Sequence, residues 1–134
     1  MDLGLQDKVA IVTGGSEGIG KAAALGMARE GARVVIVARR RDVLDQAASD
    51  IKTATEGVVL AVQGDVTERD TAGRVVQTAL DQFGRVDILV NNAGVAIAKG
   101  FEAVSDEEWE SDFNLKVWAA VRFNRVVIPE MRKA

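Results

Sequence analysis

Apolar residues in this chain fall into short unbroken runs separated by stretches with a helical repeat. Val9-Ala10-Ile11-Val12 is the first run, of strand length. From Gly18 to Glu30 the spacing predicts a helix with a thin face of small residues, Ala22, Ala23, Leu25, Gly26 and Met27, and Gly31 is its natural stop. Arg33 to Ala38 reads as a second strand, β-branched and apolar on both faces, as suits a parallel sheet covered on each side by helices. Asp42 to Thr55 is predicted helical, with Val43, Leu44, Ala47, Ala48 and Ile51 at core spacing. Val58 to Val62 is a third strand, Thr67 is expected to cap a helix running to about Phe83, and Val86 to Val90 is a fourth strand. Ser105-Asp106-Glu107-Glu108 has the form of a capping box and opens a last helix to the end of the sequence, with Pro129 bending its final turns. Strand and helix alternate four times over. That order argues an open parallel sheet with right-handed crossovers.

Composition narrows the chemistry more than the fold. The 134 residues fit one domain, with no repeat, linker or low-complexity tract. Seventeen basic and twenty acidic residues leave a net charge of −3, which gives no reason to expect a nucleic-acid or membrane partner. The chain holds no cysteine, no histidine and no tyrosine. There is thus no thiolate or imidazole to bind a metal, so no metal site is expected, and no imidazole base. Met1 to Lys8 lacks the basic and apolar regions of a secretory leader, and no apolar run is long enough to span a bilayer, so a cytoplasmic location is the expectation.

The candidate chemistry lies between the first strand and the first helix. Thr13-Gly14-Gly15-Ser16-Glu17-Gly18-Ile19-Gly20 is a glycine-rich turn opening a helix. Gly14 suits a backbone conformation that a Cβ would forbid, Gly18 would let the backbone approach a phosphate, and Gly20 would let helix and strand pack closely. The helix N-terminus then offers free N–H groups and a partial positive charge to a pyrophosphate.

The spacing of that turn, with Gly64-Asp65-Val66, Asn91-Asn92-Ala93-Gly94, Asn114-Leu115 and Pro129-Glu130-Met131 following in order, resembles the short-chain dehydrogenase/reductase family from Val9 to Met131. The resemblance implies a Rossmann-type three-layer α/β sandwich with a sheet of about four strands in the order 3-2-1-4. It also implies cofactor-binding roles. Gly14, Ser16, Gly18, Ile19 and Gly20 would form the pyrophosphate seat, with Ile19 as a backbone donor. Asp65 would accept from the adenine amino group beside the Val66 backbone. Asn91 would stiffen the sheet and line the nicotinamide ribose, and Ala93 and Gly94 would leave room for the cofactor.

Cofactor choice is read at the end of the second strand. An NAD site of this family places an acidic residue there for the ribose 2′-OH. This chain has Ala38 followed by Arg39, and a guanidinium suits a 2′-phosphate, so NADP(H) is favoured over NAD(H). Glu17 stands where NADP-binding relatives often carry a basic residue, while Arg40 and Arg41 read equally as solvated charges at a helix start.

The family's reaction moves a hydride between nicotinamide and a carbonyl or alcohol, using an asparagine, a serine and a Tyr-x-x-x-Lys pair. Here only the asparagine has a counterpart, Asn114. Relatives continue beyond the position of Ala134 into the segment carrying the others, so the chain looks like an N-terminal half and is expected to be inactive as it stands. A non-catalytic nucleotide-binding or oligomerisation module is the alternative, and a repurposed hydrolase a third. The helix over 106–133 has more apolar circumference than one sheet contact needs, and the strand 86–91 would be an open edge. Both features lead to an expected homo-oligomer.

Overall fold

The computed structural model describes residues 1–96 and 98–134. Four strands, β1 (Val9–Thr13), β2 (Arg33–Ala38), β3 (Val59–Gln63) and β4 (Ile88–Val90), form one sheet in the order β3-β2-β1-β4, every pair parallel. Three helices join them in turn: α1 (Gly18–Arg29), α2 (Arg41–Thr55) and α3 (Thr71–Phe83). A short 3-10 turn at Phe101–Ala103 leads to α4 (Asp106–Phe113) and α5 (Ala119–Lys133). This is a Rossmann-like α/β arrangement.

The doubly apolar strands explain the layering. Val34 and Ile36 of β2 pack with Ala24 and Ala28 of α1 and Leu44, Ala47 and Ile51 of α2. Val35 and Val37 point the other way, into a cluster with Val75, Val76 and Ala79 of α3 and Phe123 and Val127 of α5. Alternate side chains thus feed two cores, one on each face of the sheet. Among the described residues no helix is long and apolar enough to cross a membrane.

Four elements differ from the expectation. The first helix buries Gly20, Ala24 and Ala28 rather than the expected face of Ala22, Ala23, Leu25, Gly26 and Met27, of which Ala22 and Gly26 are exposed. The third helix begins at Thr71, not near Thr67. Thr67 caps no helix; its N–H and hydroxyl both donate to Asp65 Oδ1, at 2.9 and 2.7 Å, making a side-chain-closed turn that delays the helix. The fourth strand is shorter than 86–90. Asp87 N–H still donates to Val9 O at 2.9 Å, but Val9 N–H turns to the Asp87 carboxylate at 2.9 Å, and regular pairing begins only at Ile88. The last helix runs on as expected but not uniformly: a π-helical turn at Asn114–Trp118 widens it between α4 and α5, the backbone staying helical at the junctions. The capping box at its start is formed, with Glu108 N–H donating to Ser105 Oγ at 3.2 Å. Pro129 lies within α5, which runs on to Lys133.

Candidate cofactor site

The chain moves outward from β1 through β2 to β3, then returns to lay β4 on the other side of β1. Such a reversal leaves a crevice at the carboxyl ends of the strands, where the crossovers part to opposite faces. A cleft of about 450 Å³ lies there. Gly14 to Ile19 supply one side of it, with Gly15 set beneath. Val37, Ala38, Arg39 and Arg40 supply the end of β2, Gly64, Asp65 and Val66 the end of β3, and Asn92, Ala93, Gly94, Val95 and Leu115 the rest.

The turn after β1 is shaped by close contacts. Gly14 has φ +65°, and its N–H donates to Val37 O at 2.9 Å. A Cβ on Gly20 would collide with Gly14 O and the Asn92 amide. Gly18, at φ +54°, has nothing within 4 Å of where its Cβ would be, so that backbone is bare toward open space. The start of α1 is uncapped: Glu17 at the N-cap makes no side-chain cap hydrogen bond, and the first turn carries no acidic residue. Its first N–H groups therefore have no acceptor within the helix. α4 is capped by Ser105, whereas α2 and α3 also start without a side-chain cap, so what sets α1 apart is its place on the cleft beside the bare backbone of Gly18. An uncapped helix start beside bare glycine backbone fits a pyrophosphate.

The end of β4 is locked to this turn. Thr13 Oγ1 accepts the N–H groups of Asn92 and Ala93, at 3.0 and 3.1 Å, and Asn92 Nδ2 donates to Gly14 O at 3.1 Å. Across the cleft, burial acts to raise the Asp65 carboxyl. The Thr67 hydroxyl and N–H, with Arg39 nearby, outweigh it and hold the group below its ordinary value. Asp65 Oδ2 takes no hydrogen bond among the described residues, leaving an ionised acceptor on the wall. Arg39 is exposed and forms no ion pair among the described residues, and its carbonyl is tied to Gln63 Nε2 at 2.9 Å.

Of the residues singled out from the sequence, Gly14, Ser16, Gly18, Ile19, Arg39, Asp65, Val66, Ala93 and Gly94 line this cleft. Gly20 is buried behind it as the contact between α1 and the turn. Asn91, the first residue past β4, is not in the lining of this cleft, and its amide donates to Asn124 of α5 at 3.1 Å. Asn92 takes the place beside the cleft. Asn114 also lies outside the lining, at the start of the π-turn. Arg122 Nη1 donates to Asn114 Oδ1 at 2.9 Å and to Thr67 O at 3.2 Å, and Asn114 Nδ2 to Thr67 O at 3.4 Å. Two features escaped sequence reasoning. Asn92 was within a quoted motif but carried no signal of its orientation, and a Glu17–Arg40 ion pair at 2.6 Å joins residues far apart in sequence.

The fold and cleft define an α/β protein of the Rossmann type. The chain belongs to the short-chain dehydrogenase family, whose model matches residues 8–134. It is 37% identical over 131 residues to an uncharacterized oxidoreductase, YvrD, of Bacillus subtilis, covering 98% of this chain and 49% of the relative. It is 38% identical over 129 residues to 1,6-dihydroxycyclohexa-2,4-diene-1-carboxylate dehydrogenase of Acinetobacter baylyi, covering 96% and 49%. The crystal structure of L-sorbose reductase from Gluconobacter frateurii, complexed with NADPH and L-sorbose, superposes with a TM-score of 0.94 at 44% identity, covering 99% of this chain and 51% of that one. The chain spans about half the length of the curated relatives it matches.

Proposed function

We propose that this chain is the cofactor-binding part of a short-chain dehydrogenase-type oxidoreductase, that its cleft prefers NADP(H) to NAD(H), and that it serves hydride transfer between that cofactor and a carbonyl or alcohol. The observation that carries the reading is the uncapped start of α1 beside the open backbone of Gly18. When bound, the cofactor supplies the hydride chemistry. The chain's own residues bind and orient. N–H groups at Gly18 to Gly20 meet the pyrophosphate, Asp65 accepts from the adenine amino group, and Arg39, free of any ion pair among the described residues, takes the 2′-phosphate. A reductase known with NADPH at 44% identity supports the same preference.

The chain has no tyrosine, histidine or cysteine to serve as a general acid. Asn114 is the single residue proposed for the catalytic group, as the one that orders a water. Loss of a general acid costs about 10²–10⁴ in rate. The 134-residue chain alone is therefore expected to bind cofactor with negligible turnover. Calorimetric titration with NADPH, NADH and 2′,5′-ADP, alongside an assay of NADPH oxidation with small ketones, tests this. Tighter binding of NADPH than NADH without oxidation supports it. Absence of binding by every nucleotide overturns it, and rapid oxidation by the chain alone overturns the catalytic part.

We further infer self-association through α4, the π-turn and α5. Ala119, Phe123 and Val127 form the stripe that meets the sheet, and Phe113, Val117, Trp118 and Ile128 are left exposed. One sheet contact needs a single apolar stripe, so the surplus favours a second copy.

A further inference from the structure

The rim of the cleft carries an ion pair that holding a dinucleotide does not by itself require. Glu17 ends the glycine turn and Arg40 precedes α2. Their side chains meet across the cleft mouth, Arg40 Nη2 donating to Glu17 Oε1 at 2.6 Å, and both residues line the cleft. The neighbouring cations are disposed differently. Arg41 turns away to Asp45 at 3.2 Å, and Arg39 forms no ion pair among the described residues. The ion pair holds the Glu17 carboxylate at the end of β2, one residue along from Arg39, where a 2′-phosphate would lie. Left unpaired, that carboxylate would set a like charge against the added phosphate and oppose its binding.

We propose that Arg40 is a specificity-determining positioning residue: by pairing with Glu17 it cancels a carboxylate on the cleft rim and so leaves Arg39 able to receive the 2′-phosphate of NADP(H). The inference rests on the reading of the cleft as a nicotinamide dinucleotide site and adds to it a residue that acts through another. NADH lacks the added phosphate, so it is indifferent to the pair. Both side chains are more than half exposed, at 69% and 63%, and solvent screening keeps the effect moderate.

The test is a double-mutant cycle on the intact chain with Arg40→Gln, Glu17→Gln and the double variant, titrated with NADPH, NADH and 2′,5′-ADP. Arg40→Gln is expected to raise the Kd of NADPH and 2′,5′-ADP about three- to fivefold while Glu17 is present, and less than about 1.5-fold in the Glu17→Gln background. NADH is expected to change by less than about twofold, and the coupling is expected to shrink as salt is raised. An equal loss in both backgrounds would mean that Arg40 touches the phosphate itself and would overturn the proposal. So would an equal loss for NADH, which would mark a purely structural role. Thermal melts of the four chains establish that each is folded. A wild-type chain that binds none of the three probes overturns the cleft reading and this inference together, whereas wild-type binding without coupling overturns this inference alone.

Discussion

The hydroxyl of Thr13 accepts the backbone N–H of Asn92 at 3.0 Å, joining the last residue of β1 to the chain just past β4. The same oxygen accepts from Ala93 N–H at 3.1 Å, and Thr13 is almost wholly buried. Thr13→Val removes the acceptor and leaves two N–H groups unpaired at the cleft floor. Stability is expected to fall by about 1–3 kcal/mol in urea denaturation, with weaker NADPH binding, and Thr13→Ser to restore most of both.

Glycine replacements divide by what surrounds them. Gly20→Ala drives a methyl into Gly14 O and the Asn92 amide. It is expected to cost about 1–3 kcal/mol and to abolish nucleotide binding. Gly73, exposed within α3, has nothing within 4 Å of its Cβ position. Gly73→Ala is expected to stabilise by about 0.5–1 kcal/mol and to leave binding unchanged. Paired melts and titrations distinguish the two sites.

Acid sensitivity is expected to trace partly to Asp87. The Arg85 guanidinium, donating at 2.6 and 2.9 Å, lowers its carboxyl against the opposing effect of burial, helped by Val9 N–H and Lys8. A lowered folded value means that the contribution is complete above the unfolded carboxylate value of about 4 and is lost as pH falls through the folded value beneath it. Asp87→Asn should cost about 1–2 kcal/mol near neutrality, and this deficit should narrow below about pH 4. A deficit that stays constant down to acid-unfolding conditions would remove Asp87 from the account.

Arg39→Gln is expected to weaken NADPH about tenfold or more while changing NADH little, since one charge-assisted hydrogen bond contributes about 1.5–3 kcal/mol. Parallel titrations measure the ratio, and equal weakening would remove Arg39 as the 2′-phosphate partner.

Trp118, 55% exposed at the end of the π-turn, is the probe for self-association. Sedimentation of the wild-type chain at micromolar concentration is expected to show dimers or larger species, and Trp118→Glu to shift it toward monomer. A wild-type monomer would leave that apolar face without a second copy.

The layers of this fold are legible in sequence because the signals are local and repeated. Val34 to Val37 is apolar without alternation, which belongs to a strand covered on both faces, and the α2 residues Leu44, Ala47 and Ile51 all reach the core their spacing indicates. The glycine turn is legible because close approach can be written only with residues that lack a Cβ. What sequence could not give depends on choices between near-equal local options. Thr67 has the chemistry of a helix cap, yet its hydroxyl finds Asp65 two residues back. Asn91 and Asn92 are identical side chains with different partners, Asn124 of α5 for one and Gly14 O for the other, and nothing local in the sequence decides which meets the cleft. The π-turn at Asn114 widens a helix whose apolar pattern reads as uniform, and the Glu17–Arg40 pair depends on the path of two loops.

The hydrogen bonds that floor the cleft join residues 77 to 80 positions apart. A ribosome that has released β1, α1 and β2 has made the glycine turn and its hydrogen bond to Val37 O, but not the Asn92 and Ala93 contacts that floor the cleft. Closing so long a loop is late and entropically costly, so the nucleotide capture proposed for this cleft is expected to wait until the stretch around Asn92 has emerged and docked. Ligand binding in a growing chain would thus report the arrival of β4, and a nucleotide already at hand would trap that arrival as it happens.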